Sequence, residues 1–367
     1  MPPHPHRPSE LAWRVFRGSD VIRRGLLTRH QLRGASWLRL RHDVYADSRL
    51  DRDHTLACRA ALLRMPPGAL VAGPSAAYLH GVEHAAGFED DVHVLLPPSA
   101  RADAQPGIRI HRAGPALAPT HAYLLVVGTA LGSTIGTAAD RADNAGGHGE
   151  GSWPVPTSAR PAAARPIRSE APPATRRPGP VEAEPIQPGR SSGLARTGPA
   201  ACAWETAVWA DPVQAVGVID ALLGMGLVSR TALADVADRN GERPGGRRAR
   251  WVFGLADPQA QSPPESHLRV RLMLAGLPRP VAQHPVRLGS GLVLHPGLAW
   301  PEFRVAVEYH GLRHVDPGQP HRDRERLTQF VGAGWLVLHV TSRRLHRDFA
   351  AVVREARAAL VSRGWQP

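Results

Sequence analysis

The segment 303–310 alternates between apolar and polar positions with a period of two. Its apolar side carries β-branched and aromatic residues, namely Phe303, Val305, Val307 and Tyr309. This pattern predicts a β-strand with one buried face. Glu308 and His310 share the opposite face, Gly311 permits a turn, and His314 follows that turn. Local geometry therefore places one carboxylate and two imidazoles close together.

Helix and strand signals on both sides of this strand predict one small domain over 262–367. Ser262 is an expected helix N-cap, and Glu265 faces the positive end of the helix dipole. Two strands, 281–288 and 291–295, are joined by a Gly-Ser turn and predict a hairpin. Three further elements complete the pattern: a charged helix over 321–331, an apolar strand over 335–341 and a closing helix over 349–361. The predicted order is α-β-β-β-α-β-α.

A set of motifs runs through this domain in a fixed order. They are SPPESHLR (262–269), AGLPRP (275–280), LAWPEFRVAVEYHG (298–311), His314, Asp323 with Arg326, and GWLVLHVTSRRL (334–345). In these motifs the segment resembles an endonuclease-like domain related to very-short-patch mismatch-repair endonucleases, within the restriction-endonuclease-like superfamily. The resemblance implies a restriction-endonuclease-like fold and metal-dependent hydrolysis of DNA phosphodiester bonds.

The same resemblance implies roles for individual residues. Glu308, His314 and Glu265 become candidate catalytic residues, Glu308 and His310 candidate ligands of Mg²⁺ or Mn²⁺, and Arg326 a candidate DNA contact. The family usually has an Asp before the LAWP-like segment and another two residues after the strand Glu. This chain has Gly297 and His310 at those positions. Both departures remove an oxygen ligand, which Mg²⁺ prefers, so a weakened metal site is expected.

These candidate residues also have other interpretations. Glu308 could pair with one of the many arginines, and Glu265 could only compensate the helix dipole. His314 could act as a general acid or base, or it could cap a turn. A further alternative is an imidazole site in which His295 and His310 join Glu308. Such a site would suit Zn²⁺ or Mn²⁺ better than Mg²⁺.

The segment 11–50 has the order of elements typical of a winged helix-turn-helix. Apolar spacing predicts a helix over 11–24, Thr28 is an expected N-cap for a second, short helix, and 37–47 predicts a basic wing. The motif GLLTRHQLRGASWLRLRHDVYAD (25–47) is similar to the N-terminal domain of AbiEi-like antitoxins of type IV toxin–antitoxin systems. This resemblance implies DNA binding and allows a toxin or other protein as partner.

Four arginines of this segment are the expected DNA contacts: Arg29, Arg33, Arg39 and Arg41. The first two lie on or beside the second predicted helix, which would face the major groove. The other two lie on the predicted wing and would contact phosphate. The alternative is a small helical adaptor with a solvated basic face.

The rest of the chain divides by composition. An antitoxin-like α/β middle domain is predicted over 51–117 and 193–240. It is interrupted at 118–192 by a segment rich in Ala, Pro, Gly and Arg, whose few apolar residues cannot offset chain entropy, so this insertion is expected to be disordered. Disorder is also expected for 1–10, and a basic hinge for 241–261. The expected fold class is therefore multi-domain α+β.

Composition gives the net charge of the chain and indicates its cellular compartment. The chain of 367 residues carries 45 basic side chains, all of them arginine, and a formal net charge of +13. This charge favours a polyanion such as DNA as partner, although a GC-rich genome also favours arginine codons. Cys58 and Cys202 form neither a disulfide framework nor a zinc pattern, and no apolar run has membrane-spanning length. A cytoplasmic protein without a membrane partner is expected.

Together these patterns favour a DNA-binding protein with a very-short-patch-repair-like endonuclease domain and a degenerate metal site. One alternative is a non-catalytic AbiEi-like antitoxin or transcriptional regulator that acts through DNA or partner binding. Another is a protein–protein module whose antitoxin-like half binds a partner. The salt dependence of DNA affinity distinguishes the last hypothesis from the others, because phosphate contacts weaken as the salt concentration rises.

Overall fold

The computed structural model describes residues 7–112, 193–311 and 319–367. Within these ranges the chain is a mixed α and β protein with eleven α-helices and several small sheets, which confirms the predicted α+β class. None of the described helices is both long enough and apolar enough to cross a membrane. The predicted insertion 118–192 and His314 lie outside the described residues, as does the side chain of Asp323.

The N-terminal part contains a three-stranded antiparallel sheet and one short helix. Its elements are β1 (Val15–Arg17), α1 (Gly18–Arg23), β2 (Trp37–Arg41) and β3 (Val44–Asp47), with the sheet order β1-β3-β2. The predicted helix over 11–24 is wrong at β1, where Val15 pairs with Ala46. A β-branched and an aromatic residue are better buried in a sheet here than placed in a helix. A 3-10 turn at Ser9–Leu11 also orders part of the segment 1–10.

The second helix of the predicted helix-turn-helix is only one 3-10 turn, Gln31–Arg33. Thr28 caps it as predicted, because its Oγ1 accepts the N–H of Gln31 at 3.2 Å. The Gln31 side chain accepts the N–H of Thr28 in return, at 2.7 Å. This reciprocal pair is a capping box. The turn ends at Gly34, which directly follows Arg33 and has an extended conformation.

The middle part joins a small sheet to a layer of helices. Before residue 113 it contains α2 (His54–Leu62), β4 (Leu70–Val71), α3 (Gly73–Leu79), β5 (Val92–Leu96) and β6 (Ile108–Arg112). After residue 192 it contains α4 (Pro199–Trp209), α5 (Pro212–Gly224), α6 (Arg230–Arg239) and α7 (Gly246–Leu255). The sheet order is β4-β5-β6, and β5 and β6 run parallel. One apolar core contains side chains from both groups of elements.

The segment 241–261, predicted as a basic hinge, instead contains helix α7. Ala249, Val252 and Phe253 of this helix are buried in the core of the middle part. Arg247 and Arg250 are exposed on its polar side. The helix is therefore amphipathic, and burial of its apolar face fixes a segment whose Gly and Arg content alone suggests flexibility.

Gly73 is a position where the fold requires glycine. Its φ is +52°, and a Cβ added there would lie 2.7 Å from the Trp209 ring. Gly73→Ala is expected to lower the free energy of unfolding by about 1–3 kcal/mol, because it adds overpacking to an unfavourable backbone conformation. Urea denaturation measures this loss. Gly254→Ala is the matched control, since nothing lies within 4 Å of the added methyl group. Equal losses in both variants would contradict the prediction.

Glu205 of α4 makes stability depend on pH. Its buried carboxylate accepts hydrogen bonds from the Gly73 N–H and the Thr197 hydroxyl, both at 2.8 Å, and burial raises its pKa from 4.5 to about 7. The folded chain therefore holds this proton over a pH range in which the unfolded chain has lost it. The contribution of this bound proton to the free energy of unfolding is complete below about pH 4.5 and declines as the pH rises to about 7.

Glu205→Gln removes this titration and keeps an oxygen that can accept both hydrogen bonds. The free energy of unfolding of the variant, minus that of the wild type, is expected to rise by about 3 kcal/mol between pH 4.5 and pH 7. Urea denaturation at a series of pH values measures the difference. Burial lowers the pKa values of His93 and His111 to about 4. These two histidines affect the stability of the wild type and the variant equally, so their effect cancels in the difference. A difference that stays constant with pH would contradict the prediction.

The C-terminal part is a mixed sheet flanked by helices. Its helices are α8 (Pro263–Leu274), α9 (Gln319–Gly332), α10 (Ser342–Arg347) and α11 (Phe349–Ser362). Its strands are β7 (Val281–Ala282), β8 (Val286–Arg287), β9 (Val293–Leu294), β10 (Leu298–Trp300), β11 (Val305–His310) and β12 (Leu336–Thr341). The sheet order is β12-β11-β10-β7, with β11 and β12 parallel, and β8 pairs with β9 in a separate hairpin. The predicted N-cap is confirmed, because the Ser262 hydroxyl accepts the N–H of Glu265 at 3.4 Å.

Two separate cores cover the two faces of strand β11. The valines of β11 pack with side chains of α8 and α11. Ala306 packs on the other face with Phe330 of α9. Because side chains alternate along a strand, Glu308 and His310 lie on the face of Ala306. The sheet therefore presents both candidate metal ligands toward α9.

A buried ion pair connects the C-terminal part to the middle part. Arg269 of α8 is 0% exposed and donates to Asp220 of α5, itself 1% exposed, at 2.7 Å. The second oxygen of Asp220 accepts the N–H of Asp257 at 2.6 Å. Arg269 also donates to the carbonyl of Leu255. Charge-assisted hydrogen bonds therefore fix α8 against α5.

Candidate functional site

Glu308 lies near the end of β11, and its carboxylate is paired with Arg326 of α9. Arg326 donates to Oε1 of Glu308 from Nε at 3.2 Å and from Nη2 at 3.0 Å. The same guanidinium donates to the carbonyl of His295 at 2.5 Å. Arg326, predicted as a DNA contact, is therefore engaged by the protein. The arginine pairing considered as an alternative for Glu308 is the arrangement that the structure contains.

Glu265 lies in the first turn of α8, beside the position where the resemblance expects an aspartate. Its Oε2 accepts the N–H of Gln261 at 3.1 Å and the side-chain amide of Gln283 at 3.2 Å. A Cβ added to Gly297 would lie 3.5 Å from Oε1 of Glu265 and 3.5 Å from the carbonyl oxygen of Val307. The fold therefore brings position 297 next to Glu265 and the central strand, and glycine supplies no ligand there.

His310 is paired with a histidine that the sequence analysis did not select. Its Nε2 lies 2.7 Å from Nδ1 of His339 in the neighbouring strand β12. The parallel register places Glu308 opposite His339, so all three side chains are on the same face. In the sequence, His339 is the one histidine within the apolar run 335–341. That run does not reveal that β12 pairs with β11, so the contact with His310 could not be predicted from it.

His295 takes no part in this histidine pair. Its Nδ1 lies 2.9 Å from the carbonyl oxygen of Gln283, within the region of the β8–β9 hairpin. Among the described residues, His295, His310 and Glu308 do not form a group that could hold one metal ion.

These side chains do not fit the Mg²⁺ or Mn²⁺ site that the resemblance implies. Across the described ranges, no three His, Cys, Asp or Glu side chains are placed to hold one metal ion. Gly297 and His310 remove two oxygen ligands, and the positive charge of Arg326 offsets that of Glu308. A hard cation needs several oxygen ligands in octahedral geometry, and the described side chains on this face of the sheet supply too few of them.

The arginines predicted to contact DNA fall into two groups. Arg29, Arg33 and Arg39 are exposed, and their guanidinium groups form no hydrogen bond or ion pair with any residue that the structure describes. Arg41 instead donates to the carbonyls of Pro106 and Gly107, at 2.7 and 3.0 Å, and burial lowers its pKa. The structure therefore argues against Arg41 as a phosphate contact, because its guanidinium ties the β2 strand to the middle part.

Comparison with known proteins adds little about function. No protein-family model matches the chain, and no solved structure gives a significant match. Two uncharacterized proteins of Mycobacterium tuberculosis, from strains CDC 1551 and H37Rv, are each 31% identical to it over 161 residues. The match covers 43% of this chain and 59% of each relative, so it spans less than two thirds of their length.

Proposed function

We propose that this chain is a DNA-binding protein whose C-terminal domain has an endonuclease-like fold without a working Mg²⁺ site. The observation that carries the proposal is the set of exposed arginines Arg29, Arg33 and Arg39, whose guanidinium groups form no hydrogen bond or ion pair with another described residue. Exposed guanidinium groups bind phosphate oxygens, often with two hydrogen bonds each. The net charge of +13 adds a long-range attraction to a polyanion.

The N-terminal part would act as a winged-helix-like module in which the β2–β3 hairpin is the wing. Arg39 is on that hairpin, while Arg29 and Arg33 are on or beside the 3-10 turn. A single 3-10 turn presents fewer side chains to base edges than a recognition helix does. Phosphate contacts should therefore dominate over base contacts, and DNA sequence should matter little to affinity.

The C-terminal part would not cut DNA. The ion pair of Glu308 with Arg326 and the glycine at position 297 support this lack of cleavage. Metal-dependent hydrolysis requires an ion that activates water and stabilises the leaving oxygen. The residues on this face of β11 do not provide the oxygen ligands for that ion.

A salt titration tests DNA binding directly. Fluorescence anisotropy of a labelled duplex gives the affinity at several salt concentrations. Each phosphate contact should contribute about −0.9 to the slope of log affinity against log salt, so the three N-terminal arginines should contribute roughly −3 to that slope. An affinity that does not change with salt, or no binding at low salt, would contradict the proposal.

Restoring acidic residues should create the missing Mg²⁺ site. The Gly297→Asp/His310→Asp double variant is expected to bind Mg²⁺ measurably by calorimetry, whereas the wild type is not. The new carboxylates would lie beside Glu265 and Glu308, where oxygen ligands are lacking. The Gly297→Asn/His310→Asn double variant controls for side-chain size without charge. Equal Mg²⁺ binding by the wild type and the aspartate variant would contradict this explanation.

A further inference from the structure

We infer that His310 and His339 form a binding site for a borderline transition-metal ion such as Zn²⁺ or Ni²⁺. The two imidazoles approach through ring nitrogens, with Nε2 of His310 2.7 Å from Nδ1 of His339 and the ring centroids 4.8 Å apart. Both rings are half-buried on adjacent strands, so the sheet fixes their positions. The inference does not rest on DNA binding, because it concerns the protein and the ion alone.

The separation of the two nitrogens is close to the value that a shared ion requires. Zn–N bonds of about 2.0–2.1 Å at a tetrahedral angle place two ligand nitrogens roughly 3.3 Å apart. A small rotation of either ring would open the pair from its present 2.7 Å to that distance. The two imidazoles would occupy two of the ion's coordination positions.

The charges around the pair explain why it should select a borderline ion rather than Mg²⁺. Glu308, opposite His339, already pairs with Arg326 at 3.0 Å. Arg344 donates to the carbonyl of His339 and pairs with Glu355 at 2.6 Å. These described charges are paired, and the two imidazoles offer nitrogen as the ligand atom. Imidazole suits Zn²⁺, Ni²⁺ and Cu²⁺, whereas Mg²⁺ requires oxygen.

The test is isothermal titration calorimetry of the full chain, purified without a histidine tag, with NiCl₂, ZnCl₂ and MgCl₂ in separate runs at pH 7.5. One equivalent of Ni²⁺ or Zn²⁺ whose binding depends on His310 and His339 is expected, with no comparable heat from Mg²⁺. His310→Ala and His339→Ala should each lower the affinity for that ion by at least about tenfold, since even the residues that hydrogen-bond to metal ligands contribute 10–100-fold to metal affinity.

Three further variants make the result easier to interpret. His346→Ala removes an exposed histidine of α10 outside the pair and should leave the equivalent intact. His310→Gln and His339→Gln keep a hydrogen-bonding side chain if an alanine variant fails to fold, and they should also lose the ion. Unchanged binding in the folded variants of both pair residues, or no Ni²⁺ or Zn²⁺ binding by the wild type, would overturn the inference. Either result would leave the DNA-binding proposal standing.

Discussion

Replacement of Arg269 by alanine is expected to lower the free energy of unfolding by about 3–5 kcal/mol. The substitution leaves the carboxylate of Asp220 buried at 1% exposure without its 2.7 Å partner. Burial already raises the pKa of Asp220 even with Arg269 in place, so loss of the guanidinium makes the charged form costlier still. The N–H of Asp257 remains to stabilise the carboxylate only in part.

Urea denaturation followed by circular dichroism measures this effect, and two other variants interpret it. Arg343→Ala removes an exposed arginine of α10 and should change stability little. The Asp220→Leu/Arg269→Met double variant replaces both charges with apolar groups and should recover part of the loss, because no buried charge is left unpaired. A loss below about 1 kcal/mol for Arg269→Ala would show that the pair does not hold α8 against α5.

The second large effect is expected on DNA affinity. The triple variant Arg29→Gln/Arg33→Gln/Arg39→Gln should bind duplex DNA roughly 100- to 1000-fold more weakly at about 0.1 M salt, and its salt slope should be shallower by about 3. These arginines are exposed and free to reach phosphate. Glutamine keeps much of each side chain's length and polarity while removing the charge.

A charge-matched control separates specific contacts from net charge. Glutamine at Arg101, Arg239 and Arg247, three exposed arginines elsewhere on the chain, removes the same three charges. Fluorescence anisotropy with the same duplex should show a much smaller loss for this variant. If both triple variants lose affinity equally, the N-terminal arginines have no special role and only the overall charge attracts DNA.

Local signals in the sequence predict much of this fold. The N-caps at Thr28 and Ser262 accept the expected backbone hydrogen bonds, and the β8–β9 hairpin forms around its Gly-Ser turn. Each of these features depends on a few neighbouring residues, so its physical cause is visible in the sequence itself.

Features that depend on distant partners are less predictable. Val15–Arg17 form a strand because β3, almost thirty residues later, pairs with it, and α7 is helical because the middle core buries its apolar face. The candidate site shows the same limit. Glu308 and His310 were identified from strand alternation, but their partners Arg326 and His339 depend on how α9 and β12 pack.

One plasmid assay tests most directly the claim that the protein binds DNA without cutting it. Supercoiled plasmid is incubated with the wild-type protein and Mg²⁺, and electrophoresis follows both retardation and cleavage, with Glu308→Ala in parallel. We expect the plasmid to be retarded at low salt, released at high salt and recovered supercoiled from both proteins. Nicked or linear plasmid with the wild type, absent with Glu308→Ala, would contradict the claim that this endonuclease-like domain binds DNA without cutting it.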